Sequence, residues 1–151
     1  MDSFNPILAP VVALVAWTLL IMAWMAVTRF AAFKQMGLTV WTVPRGSRGA
    51  NMEGQAPDQV MWKSHNYTHL HEQPTIFYAI VLTLALMDQG GGLNLLLAWG
   101  YVGLRIVHSL IQTMVNIVAY RFAIFSLASL CLLGLTIQAG LHMLRVCGII
   151  G

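Results

Sequence analysis

Four stretches of the chain are apolar over long runs, and polar residues gather at their ends. Ile7 to Thr28 runs 22 residues without a charge or a histidine, enough to cross a bilayer core that needs about 20. Gln73 to Met87 is charge-free, Asp88-Gln89-Gly90-Gly91-Gly92 interrupts the pattern, and Leu93 to Leu104 is apolar again. An Asp followed by a Gly triplet signals a turn, so two helices joined by a tight hairpin are predicted. Phe122 to Leu141 adds 20 more residues without a charge. The expected spans are about 6–30, 66–88, 93–117 and 120–146, which makes residues 1–151 one all-α integral membrane domain with four transmembrane helices. The first run is expected to stay as a span. Asp2 and no Lys or Arg precede it, and it is too long for the apolar core of a signal peptide.

Composition sharpens this reading. The chain is 58% hydrophobic and 9% charged, where soluble domains carry about 25% charged residues. That excludes a soluble enzyme, a disordered chain and a secreted mini-protein. The net charge of +3 comes from eight Lys/Arg against five acids, and no basic patch with interleaved aromatics suggests nucleic acid. Cys131 and Cys147 would lie roughly 24 Å apart on one helix, beyond disulfide reach. Arg29, Lys34, Arg45, Arg48 and Lys63 lie in or beside the first loop, about 34–64, and the second loop has no Lys or Arg. The positive-inside rule then puts the first and third loops in the cytoplasm and both termini outside. The first loop, with Pro44, Gly46, Gly49, Gly54 and Pro57, reads as a polar connector.

In an up-down bundle the start of span 2, the end of span 3 and the start of span 4 share one membrane side, and the intramembrane polar residues concentrate there. His65, His69 and Glu72 are spaced i, i+4, i+7 and share a helix face. Arg105, His108 and Gln112 share another, and Arg121 opens span 4. Counting from Gly90, Glu72 and His108 are equally distant, with Arg105 roughly 4–5 Å deeper. An intramembrane Arg needs a partner, and Glu72 is the expected one. The blander reading is an ion pair that only fixes helix register. A metal held by His65, His69, Glu72 and His108 has suitable donors, but the spacing matches no familiar metal signature, and none is assigned. Asn51, Asn66 and His71 read as ordinary interfacial or loop residues.

The segment Asn66-Tyr67-Thr68-His69-Leu70-His71-Glu72-Gln73-Pro74-Thr75-Ile76-Phe77-Tyr78 resembles the second-helix motif of the MAPEG family, the membrane-associated proteins of eicosanoid and glutathione metabolism. So does Tyr101-Val102-Gly103-Leu104-Arg105-Ile106-Val107-His108-Ser109, followed by Asn116 and Arg121-Phe122. The resemblance covers essentially the whole chain and is closest to the small bacterial members. It implies an antiparallel four-helix bundle, a homotrimer, and clefts between subunits near the cytoplasmic side of what would be the inner membrane. It also implies glutathione as the bound thiol, with Glu72, Arg105, His108, His65, His69 and Gln112 in the binding set. Arg121 matches the arginine credited with stabilising the thiolate. A fixed guanidinium in a partly dry cleft lowers a thiol pKa, and the thiolate is the nucleophile.

The sequence departs from the family pattern at four places. His69 stands where the family usually has asparagine, His65 where it has arginine, Gln112 where eicosanoid-type members have tyrosine, and Phe125 where a helix-4 tyrosine is usual. Arginine replaced by histidine exchanges a planar fork for a single ring that is often neutral. These changes disfavour eicosanoid synthesis. The resemblance implies a glutathione-dependent transferase or peroxidase acting on a hydrophobic small molecule. The alternative is a non-catalytic, lipid-binding or accessory subunit of a partner membrane complex.

Overall fold

The computed structural model describes residues 5–149, so Asp2 lies outside it. The described residues fold into five α-helices: α1 (Leu8–Gln35), α2 (Asp58–His69), α3 (Gln73–Leu86), α4 (Gly92–Met114) and α5 (Val118–Val146), with a short 3-10 turn at Gly49–Met52. Helices α1, α4 and α5 are each long and apolar enough to cross a membrane. The hydrophobic runs therefore become helices where the sequence predicts them, and the chain is an integral membrane protein.

The second expected span departs from prediction in two ways. Its helix starts at Asp58, inside the segment expected to be a polar connector, and it breaks over Leu70–Glu72 before resuming as α3. Pro74 sits in the first turn of α3. A proline there has no N–H to give and its ring clashes with the carbonyl four residues back, at Leu70. One continuous, unkinked 66–88 helix is thus strongly disfavoured. Alone, α3 is about 21 Å long, short of the roughly 30 Å hydrocarbon core.

The end of the first loop is packed structure. Lys63 is buried, its ammonium 5.0 Å from the Trp24 ring centroid and donating to the Gln59 carbonyl at 2.8 Å. Arg29 on α1 donates to Ser64 Oγ at 2.7 Å. These contacts bind α2 to α1.

The hairpin is tight, as expected. Asp88 adopts φ +55°, and the Gln89 and Asp88 N–H groups bond to the Leu84 and Ala85 carbonyls at 2.9 and 3.2 Å. That satisfies carbonyls which a helix end would otherwise leave open. Asn5 also donates to the Ala85 carbonyl at 3.1 Å, and a Cβ at Gly90 would collide with the Asn5 side chain. The core between α1, α3, α4 and α5 is apolar, with Phe77 stacked on Tyr101 at 4.3 Å between centroids. Large apolar side chains remain exposed outside it, including Leu20 and Phe30 on α1 and Phe122, Leu130 and Leu133 on α5. Surfaces of this kind call for lipid or another protein.

Candidate functional site

One face of α4 is polar yet buried: Arg105, His108, Ser109, Gln112 and Thr113 are all nearly inaccessible. Spacings of three and four residues place them together. They face the end of α2 and the start of α5, because α4 packs against both helices.

Arg105 is fully buried and, among the described residues, pairs with no carboxylate. The expected Arg105–Glu72 pair does not form. Nη2 of Arg105 donates instead to the backbone carbonyl of His69 at 2.8 Å, and Nη1 lies 3.3 Å from His69 Nε2. The cause is the break after α2. It leaves the last carbonyls of α2 without helical partners, so the guanidinium caps one of them, and Glu72 engages the His69 ring instead of the guanidinium.

Glu72 is reached through His69. Its carboxylate lies 2.7 Å from His69 Nδ1. Arginine can only donate, so His69 Nε2 accepts from it and the ring proton belongs on Nδ1, where it is donated to Glu72. Arg105, His69 and Glu72 thus form a directed chain from a buried cation to a carboxylate with 61% of its side chain exposed.

The other predicted residues surround this chain. The His108 ring centroid lies 5.0 Å from that of His69, and Phe125 approaches His69 at 5.4 Å. Arg121 donates to Asn116 Oδ1 at 2.6 Å. Asn116 takes φ +56° immediately after α4, a conformation asparagine tolerates better than most residues. His65 sits one turn back on α2, its Nε2 2.9 Å from Glu53. Gln112 is buried, and among the described residues its Oε1 has no partner.

Two concavities meet here. One, of about 420 Å³, is lined by polar groups including Glu53, Ser64, His65, Glu72 and Gln112. The other, of about 320 Å³, is lined by His108 and the apolar Val118, Phe122 and Phe125. His69 and Arg121 line both. The structure therefore brings Arg121, His65, His69, Glu72, Arg105, His108 and Gln112 into one neighbourhood. Among the described residues, no three His, Cys, Asp or Glu side chains converge as a metal-holding group.

Sequence reasoning missed two residues here. Asn66, read as an ordinary interfacial residue, is fully buried and donates to Ser109 Oγ at 2.6 Å, tying α2 to α4. Glu53 enters the polar cavity from the loop, and no local pattern marked it. For Asn66 the signal was available: it lies one turn from His69 on a polar helix that must pack against something.

Long apolar helices enclosing a buried polar site define a helical integral membrane protein with a cleft set among its helices. The MAPEG family model matches residues 7–141 of the chain, so the protein belongs to the MAPEG family. No curated protein and no solved structure matches it.

Proposed function

We propose that the protein is a membrane-embedded glutathione-dependent transferase or peroxidase acting on hydrophobic electrophiles, with Arg121 as the thiolate-stabilising residue. One observation carries this reading. Arg121 and His69 stand at the seam between a polar cavity suited to a small charged thiol and an apolar cleft suited to a lipophilic co-substrate.

The polar cavity offers donors and acceptors for a zwitterionic peptide. Glu53 and Glu72 fit an ammonium group, His65 and Arg121 fit carboxylate or thiolate, and Gln112 Oε1 is an unused acceptor. Bound glutathione supplies a thiol that reacts as its thiolate. Asn116 holds Arg121 through Nη1, leaving the rest of the fork available, and Arg121 Nε is buried without a partner. A positioned cation in a partly dry site favours the anionic form of a nearby sulfur. His65, His69, Glu72, Arg105, His108 and Gln112 are proposed as the binding set. Arg105 acts from behind His69, and His108 from the wall of the apolar cleft.

In the same reading the protein is an antiparallel four-helix homotrimer of the bacterial inner membrane, with the site near the cytoplasmic side. The exposed Val118 and Phe122 at the cleft mouth support an apolar route to the site from lipid or from a neighbouring copy.

Ultraviolet difference titration of detergent-purified protein with glutathione tests the proposal. We expect saturable thiolate absorbance in the wild type and its loss in Arg121→Ala, with helicity preserved. A flat wild-type titration overturns the reading. The accessory-subunit alternative then takes its place. It is favoured by the absence of a phenol at Phe125, and it predicts a stably co-purifying membrane partner.

A further inference from the structure

A further cavity, of about 700 Å³, lies between the end of α1 and the segment that follows it, and it shares no lining residue with the candidate site. Arg29, Arg45 and Arg48 line it. Lys34 lines an adjoining concavity of about 420 Å³ that has Phe30, Phe33 and Val40 in common with it. From residue 29 to residue 52 the chain carries these four cations and no Asp or Glu.

The protein itself leaves this charge unneutralised. Among the described residues Arg29 makes a single side-chain hydrogen bond, to Ser64 Oγ at 2.7 Å, and no carboxylate pairs with Arg29, Arg45 or Arg48. Glu53, the next acid along the chain, is engaged by His65 at 2.9 Å. The 3-10 turn presses its backbone against the Arg29 fork: a Cβ on Gly49 would stand 2.9 Å from Arg29 Nη2. Asn51 Oδ1 holds that turn by accepting the Arg48 N–H at 2.8 Å.

Much of the remaining wall is apolar, with Phe33, Met36, Val43 and Met52 beside the polar Ser47, Asn51 and Gln55. At its lip Val40 is 57% exposed, and the adjacent Trp41 is 92% exposed. A fully displayed tryptophan beside unpaired arginines, just past the end of a membrane-spanning helix, has the chemistry of the headgroup region of a bilayer. Clusters of four or more cations in that position attract anionic lipid.

We propose that this cavity binds an anionic phospholipid of the surrounding bilayer, with its phosphate among Arg29, Arg45 and Arg48 and its glycerol and upper acyl carbons along Phe33 and Val40. Planar guanidinium forks suit phosphate oxygens. The apolar wall has no use for a free inorganic anion and does have one for a lipid.

The test is native mass spectrometry of the full chain in neutral detergent, titrated separately with phosphatidylglycerol, phosphatidylcholine and inorganic phosphate. We expect saturable phosphatidylglycerol binding about tenfold or more tighter than phosphatidylcholine. Arg45→Gln combined with Arg48→Gln should weaken it on the order of thirtyfold. Both arginines are exposed, so this double variant should keep wild-type helicity. Arg145→Gln, a cation at the far end of α5, should leave binding unchanged. Equal binding of the two lipids overturns the proposal, as does an unaffected double variant or an equal loss in Arg145→Gln. Displacement of phosphatidylglycerol by equimolar phosphate would make this a free-anion site and overturn the lipid assignment.

Discussion

Arg105 shows how a residue can be identified correctly while its partner is not. A buried Arg bonded to a carboxylate would make Glu72 costly to neutralise, since breaking a buried pair costs about 3–5 kcal/mol. Here Glu72 is mostly exposed and touches the histidine, so Glu72→Gln should lower stability by less than about 1 kcal/mol. Arg105→Ala should cost more than Arg105→Met, because alanine adds an unfilled cavity to the loss of the His69 cap. Thermal unfolding of the three variants in detergent checks the order, and a Glu72→Gln loss as large as that of Arg105→Ala would restore the direct pair. The candidate residues themselves were legible, because charged and imidazole groups are expensive inside a membrane and stand out against apolar surroundings. Their partners were not. Spacing along a helix assumes the helix continues, and Pro74 ends that assumption four residues after Leu70 caps α2.

At the scale of elements, the ends of the helices matter more than their middles. Asp88 and Asn116 are the non-glycine residues with positive φ among the described residues, and both terminate helices that flank connections. Asp88 serves the backbone alone. Asp88→Val should therefore destabilise the protein by about 1–2 kcal/mol through left-handed strain, whereas Asp88→Gly should be tolerated. Asn116 serves the backbone and Arg121 together. Asn116→Gly keeps the turn but removes the acceptor that orients the guanidinium, so we expect it to fold with near wild-type melting and to lose much of the thiolate absorbance. If Asn116→Gly titrates like wild type, that acceptor has no bearing on the site. The hairpin was readable because an Asp-Gln-Gly-Gly-Gly run has few structural options. The early start of α2 was not, because Asp58 to His65 is polar on most faces and acquires its helical state by packing on α1.

For the whole molecule, the distribution of charge predicts how the chain lies in the membrane. The cations of residues 29–63 outnumber those elsewhere, and the positive-inside rule predicts the cytoplasmic side for that region. A membrane-impermeant maleimide should label Cys147, which is exposed at the end of α5, in intact cells. Ser47→Cys in a Cys147→Ser background should label only after lysis, and the reverse pattern would invert the topology. What the sequence alone determined is the solvent and the inventory: apolar runs of these lengths can satisfy their backbone only as helices in lipid, and the few polar residues inside them mark a site. The tertiary structure decided the burial of Asn66 and Lys63, and the delivery of Glu53 from a loop into the polar cavity. These depend on contacts between residues far apart in the chain, and a local pattern of polar and apolar positions carries no information about which distant surface a side chain will meet.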